Sequence, residues 1–123
     1  MFEQLKMMGQ VAALLKDKQK LQDAATRIRT RLAALRVDGT AGQGAVRATA
    51  SGLMRIVHLE LAPGLVAGMA ADDQTRQLAS GLITEATNEA LAKAQAQMLD
   101  IVNKEARDLG LPEFAGDLGK MLS

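Results

Sequence analysis

From Phe2 to Leu35, apolar residues return in alternating steps of four and three: Met7, Val11, Leu14, Leu21, Ala25, Ile28, Leu32 and Leu35, with Lys18 standing where one more would fall. That spacing predicts a helix over residues 1–35 carrying a narrow seam of the coiled-coil kind. The period then shortens to two. Val46, Ala48 and Ala50 alternate with Arg47 and Thr49, the rhythm of a strand with one face toward a core and one toward water. Ser51-Gly52 predicts a turn, in which Gly is able to take positive φ, before a further strand over 53–61. In that strand Val57, Leu59 and Leu61 share one face, and Met54, Ile56, His58 and Glu60 the other. Leu35 to Asp38 forms a short first strand in this reading, and Gly39 to Gly44 a flexible connection. Ala62-Pro63-Gly64 ends the strands and opens a connection of small residues through Ala71. Helical spacing resumes with Ala79, Leu82, Ile83, Ala86, Ala90, Ala94 and Ile101, so a second helix is predicted over 72–109. Asp72 or Asp73 is its N-cap and Gly110 with Pro112 its stop. Gly81 lies inside this helix at a cost of about 1 kcal/mol relative to Ala.

The expected architecture is an α/β protein of the α+β two-layer type: a long N-terminal helix (1–35), a three-stranded antiparallel sheet (36–61), a long C-terminal helix (72–109) and a tail (110–123) in a single domain. A first helix of this length extends about 50 Å, whereas a strand of eight residues covers about 26 Å. One small sheet cannot cover the whole apolar stripe, so part of it must meet another chain. The expectation is a homodimer, with Met7, Val11, Leu14, Leu21 and Ile28 as dimerisation residues.

Composition narrows the chemistry. In 123 residues there are two aromatics, Phe2 and Phe114, so the core is built from aliphatic side chains and much Ala. The absence of Cys excludes disulfides, thiol catalysis and thiolate metal sites. No signal-peptide pattern and no run of about 20 apolar residues is present, which leads to the expectation of a cytoplasmic protein without membrane contact. Net charge is only +1, yet residues 1–58 hold ten Lys or Arg against four acids, and residues 59–123 hold five against ten. At 100° per residue Lys6, Lys16, Lys20, Arg27 and Arg31 fall within an arc of about 80° on the first helix, away from the apolar seam. A row of cations on a stiff rod can neutralise successive phosphates of a duplex and release their counterions. It also suits a solvated face, or a helix that receives another protein's acidic surface.

Catalytic sets are missing. His58 is the sole histidine and has no second ligand at metal spacing. Glu85 and Glu89 stand four apart, a separation common on exposed helices. No GxGxxG or P-loop pattern accompanies the glycines of 39–52, whose reading is turn geometry. The chain is expected to be no enzyme, with no cofactor, metal or small-molecule substrate.

Helix, three strands and helix in this order, with Val37-Asp38-Gly39, Gly42, Gly44, Val46, Gly52, Leu59-Glu60-Leu61-Ala62-Pro63 and the segment LITEATNEALAK, resemble the YbaB/EbfC family of bacterial nucleoid-associated proteins. The match extends more loosely into Leu111-Pro112. The resemblance implies a tweezer-like homodimer whose projecting helices bind double-stranded DNA and influence nucleoid organisation or gene regulation. The first helix has fewer Met and Gln than is usual for the family, and the tail carries Glu113 and Asp117. With the resemblance added, the DNA-binding candidates are Lys6, Lys16, Lys20, Arg27 and Arg31, followed by Arg47 and Arg55 on the strands. The expected contacts are largely to phosphates, with weak sequence preference, in a nucleoid-associated protein of the cytoplasm. The competing expectation is a protein-interaction adaptor that uses the N-terminal heptad helix.

Overall fold

A computed structural model describes the backbone of residues 2–110 and the side chains of residue 8 and residues 17–110. The chain forms α1 (Phe2–Ala34), β1 (Arg36–Ala41), β2 (Val46–Ser51), β3 (Ile56–Leu61), α2 (Pro63–Ala71) and α3 (Asp73–Asp108). The strands make one antiparallel sheet in the order β1-β2-β3. The alternation read from the sequence is obeyed on β2, where Val46, Ala48 and Ala50 are fully buried. These, with Val37 and Ala41 of β1, pack against Ala86, Ala90 and Ala94 of α3. Alanine on both sides of the layer lets helix and sheet approach closely. Gly39 marks the crossing: a Cβ there would lie 2.2 Å from the Ala86 carbonyl oxygen and 2.4 Å from the Ala90 nitrogen.

Several expectations for the sheet need correction. β1 runs through Gly39 to Ala41, so the β1–β2 connection is only Gly42 to Ala45, closed by the Ala45 N–H donating to the Gly42 carbonyl at 3.2 Å. Gly39 is therefore a strand residue, and α3 crossing over it leaves no room for a Cβ. At the second turn, positive φ falls on Met54 (62°) rather than on Gly52. Gly52 serves close approach instead: its N–H donates to the Leu32 carbonyl at 2.8 Å, and a Cβ would meet that oxygen at 2.7 Å. β3 begins at Ile56, and a bulge sets Ile56 opposite Ala50 while His58 stays opposite Thr49. Ile56 thus moves to the face of Leu59 and Leu61, because an extra residue shifts the alternation by one.

The segment after β3, expected as an irregular connection, is the helix α2. Pro63 occupies its first turn, where a missing N–H costs nothing, and the Ala-rich remainder sustains the turn. Arg76 joins α2 to α3 by donating to the Met69 carbonyl at 2.8 Å and pairing with Asp73. Asp72 is the N-cap of α3, its carboxylate accepting from the Thr75 N–H at 2.6 Å. That hydrogen bond holds the Asp72 carboxyl below its ordinary value. Gly110, at φ 76°, follows the C-cap Leu109, as the predicted stop requires.

α3 lies across β1 and β2 and scarcely reaches β3. The apolar side chains of β3 and its turn are accordingly left open: Leu53, Met54, Ile56, Val57 and Leu59 are exposed, Val57 to 47%. Among the described residues, α1 touches the body through its C-terminal half, where Ala24 and Leu32 are buried. No helix of the described residues is long and apolar enough to cross a membrane.

Candidate nucleic-acid interface

α1 and α3 meet as antiparallel neighbours, and their junction is electrostatic on one side and apolar on the other. Glu105 of α3 is the electrostatic centre, with its side chain only 9% exposed. Arg27 donates to its Oε2 at 3.2 Å, and Arg31 approaches Oε1 at 3.9 Å. Four residues apart on α1, the two guanidinium groups reach one carboxylate from successive turns. Each remains about half exposed, 53% for Arg27 and 45% for Arg31. Their outer edges are therefore open to a second anion.

The apolar side is a groove lined by Leu21, Ala24, Ala25 and Ile28 from α1 and by Val102, Ala106 and Leu109 from α3. Leu21 and Ile28, which the periodicity assigns to dimerisation, thus border α3 of their own chain, with Leu21 still 52% exposed. Ala24, off the predicted seam, is the more deeply buried residue of this stretch. α3 meets α1 on the flank between seam and basic arc, which is why the arc's last two arginines turn toward Glu105.

The remaining candidates divide by position. Lys20 is exposed on α1, near Asp17, Asp108 and Leu109. The side chains of Lys6, Lys16, Met7, Val11 and Leu14 lie outside the described residues. Arg47 projects from the sheet face opposite α3, in register with Thr40 and Glu60. Arg55 is exposed just before β3, its carbonyl accepting from the Ser51 N–H at 2.8 Å. Arg47 and Arg55 are therefore not part of the α1 row. His58 is exposed on the Arg47 face, opposite Thr49, whose hydroxyl donates to Asp38 at 2.7 Å.

Sequence reasoning takes Lys104 only as a surface partner for Asp100, as it takes Lys93 for Glu89, and passes over Arg107; both Lys104 and Arg107 are exposed near the end of α3 beside Asp100 and Asn103. Spacing along the helix suits Lys104 to Asp100, but among the described residues these two form no ion pair. The corresponding Glu89–Lys93 pair does form, at 2.9 Å, and lowers the Glu89 carboxyl from its ordinary value through the hydrogen bond to Lys93. The available signal for Arg107 is its place in the last turn of a helix that runs antiparallel to a basic one, information that needs the pairing of α1 with α3. Among the described residues no group of three or more His, Asp or Glu could hold a metal ion.

These features define a class: a helix-flanked three-stranded sheet with charged helical surface and an exposed apolar strand. The match to the family model described as the YbaB/EbfC DNA-binding family spans residues 7–109, and the chain belongs to that family. It is 32% identical over 104 residues to a nucleoid-associated protein of Pelotomaculum thermopropionicum, covering 85% of this chain and 94% of the relative. It is also 32% identical over 106 residues to nucleoid-associated proteins of Xanthomonas oryzae pv. oryzae and Xanthomonas axonopodis pv. citri, covering 86% of this chain and 93% of each.

Proposed function

We propose that this protein is a nucleoid-associated protein that grips duplex DNA as a homodimer, mainly through phosphates and with weak sequence preference, and so affects nucleoid organisation or gene regulation. The observation that carries the phosphate reading is the half-exposed state of Arg27 and Arg31, in line with exposed Lys20 on one side of a helix of about 50 Å. Lys6 and Lys16 continue the same arc toward the N-terminus. Cations at intervals along a rigid rod match a polymer with one charge per about 1.7 Å of duplex. Without a set of groups matched to base edges, discrimination among sequences stays low.

The homodimer reading rests on an asymmetry between the edges of the sheet. The β1 edge is partly capped by α3, where Lys93 Nζ donates to the Asp38 carbonyl at 3.1 Å. Among the described residues the β3 edge has no neighbouring strand, and it bears Leu53, Met54, Ile56, Val57 and Leu59, with Val66 of α2 also exposed. An open edge rich in apolar side chains favours pairing. A second copy satisfies it by strand-to-strand contact about a twofold axis, and in this reading Met7, Val11 and Leu14 of α1 extend the contact.

The test is an anisotropy titration of duplex DNA at several salt concentrations, comparing wild type with Lys6→Ala/Lys16→Ala/Lys20→Ala. Arg27 and Arg31 are left intact because their removal strands the Glu105 carboxylate. The expected result is weaker binding and a log–log salt slope shallower by about 0.9 for each phosphate no longer neutralised. Equal affinity and slope for the two proteins would remove the arc from this role. Failure of wild type to retain DNA, with capture of a specific protein instead, would favour the adaptor reading.

A further inference from the structure

The open edge of β3 carries its own register. The Ala62 N–H donates to the Ala45 carbonyl at 2.8 Å, so by the alternation of an antiparallel ladder Glu60 and His58 turn their backbone groups toward β2. Leu61, Leu59 and Val57 turn theirs outward. The side chains alternate as well. Leu59 and Leu61 stand on the face of α3, opposite Ala48 and Val46, whereas His58 and Glu60 stand on the other face, opposite Thr49 and Arg47. His58 and Glu60 are both exposed, and among the described residues neither enters an ion pair.

A twofold axis normal to the sheet keeps each face on its own side, so two β3 strands can overlap only with one residue on the axis and like faces opposed. With His58 on the axis, two imidazoles oppose each other and Glu60 meets the partner's Ile56, which the bulge has moved to the apolar face. With Glu60 on the axis, two carboxylates oppose each other and Val57 meets the partner's Pro63, which has no N–H to donate. With Leu59 on the axis, every outward residue finds a partner: Leu59 pairs with the partner's Leu59, and Val57 with the partner's Leu61. Each His58 then opposes the partner's Glu60.

We propose that two copies join β3 to β3 in this last register, and that His58 of each copy forms a charge pair with the partner's Glu60, so that the joint tightens as the imidazoles take up protons. The inference rests on the homodimer reading and gives it a register and a regulation. The charged groups around His58 are Glu60 on its own strand, Arg47 on the diagonal of β2, Arg55 ahead of the strand, and Asp38 of β1 behind the Thr49 hydroxyl. α3 lies on the other face of the sheet. Across the joint a row runs Arg47, Glu60, the partner's His58, so a carboxylate lies between two cations. The partner's own His58 falls on the diagonal, about 7–8 Å away, farther than the opposed Glu60 at about 5 Å. Histidine changes charge between about pH 8 and pH 5, and a carboxylate opposite favours the charged form. The dimer therefore gains stability as pH falls through that range and loses it as pH rises.

The register is read in the full-length chain, which has no native cysteine. Protein with His58→Cys and protein with Glu60→Cys are oxidised in a glutathione buffer, each alone and as a mixture. Opposed strand residues lie within the roughly 7 Å that a disulfide spans, and diagonal ones at or beyond that limit. The mixture is expected to form linked dimers at least tenfold faster than either protein alone. Faster closure of one protein alone would assign a rejected register and overturn the proposal. If no sample closes while light scattering finds wild type dimeric, the contact lies off β3 and the proposal falls with the homodimer intact. A monomeric wild type removes the homodimer reading and the proposal together. The proton is read by sedimentation equilibrium: the wild-type dissociation constant is expected to be roughly fivefold lower at about pH 5.5 than at about pH 8, a difference that His58→Gln and Glu60→Gln each abolish. A wild type indifferent to pH, or a difference that survives Glu60→Gln, would overturn the pairing.

Discussion

Gly81 is exposed within α3, and a methyl group added there would meet nothing within 4 Å. Gly81→Ala is therefore expected to raise stability by about 0.5–1 kcal/mol, read as a higher denaturant midpoint at constant slope. At Gly39 the same change has the opposite outcome. Its Cβ would drive into the backbone of Ala86 and Ala90, and backbone at the centre of the core cannot rotate away. Gly39→Ala is expected to lose about 3 kcal/mol or more in the same measurement. Asp72 supplies a test by pH. Its carboxyl is lowered in the fold by the Thr75 hydrogen bonds, so the stabilisation is present above the ordinary aspartate value of 3.8 and is lost as pH falls through the lower folded value. Asp72→Asn keeps a capping acceptor but has no proton to bind. Its melting temperature is expected to fall less than that of wild type over that acid window; an equal fall would show that Asp72 contributes nothing to the pH dependence. The Asp72 cap was legible in the sequence, because Asp before a helical run is a local signal. The use of Gly39 was not, since it depends on α3 arriving some fifty residues later.

At the level of elements, the polar side of the α1–α3 junction depends on one carboxylate. Glu105→Gln removes a negative charge beside Arg27 and Arg31 while leaving the side chain's shape. Because both arginines are about half exposed, water takes up their charge, and the stability cost is expected to be only about 1 kcal/mol. DNA affinity is expected to rise severalfold at low salt with a steeper salt slope, since two cations lose an internal competitor. A fall in affinity would mean that Glu105 acts chiefly by orienting α1. The existence of both long helices was readable from periodicity. The face on which they meet was not: the apolar seam named Leu21, Ala25 and Ile28, yet Ala24 is buried most deeply. A small residue carries little signal in a hydrophobic pattern, although close helix packing selects it. α2 escaped notice for a similar reason, as Pro63 and Gly64 are loop signals whenever the residue at the first helical turn is not known.

For the whole molecule, the uneven edges of the sheet give the strongest expectation. Val57→Glu/Leu59→Lys places charge on the open strand without touching the buried positions of β2 or α3. Light scattering with size-exclusion chromatography is expected to give the 13.0 kDa monomer for this variant and twice that mass for wild type. A wild type that stays monomeric at working concentrations would refute the homodimer. A variant that remains dimeric would move the contact to the α1 seam. In the monomer, DNA affinity is expected to fall more than the loss of any one cation explains, because two arms linked in one body bind with a high effective concentration for the second.

What the chain determined by itself was local and periodic: the long helices, the alternation on β2, the Asp72 cap, the Gly110 stop, the uneven distribution of charge and the family pattern. These follow from neighbours within a few residues, for which spacing along the chain is spacing in space. Tertiary structure alone decided which glycines serve close approach, that Ile56 turns with a bulge onto the face of Leu59, that Arg27 and Arg31 share Glu105, and that Lys93 reaches the β1 edge while, among the described residues, no strand lies beside β3. Each of those depends on groups far apart in sequence being brought within a few ångströms, and the position of α3 across β1 and β2 is what brings them there.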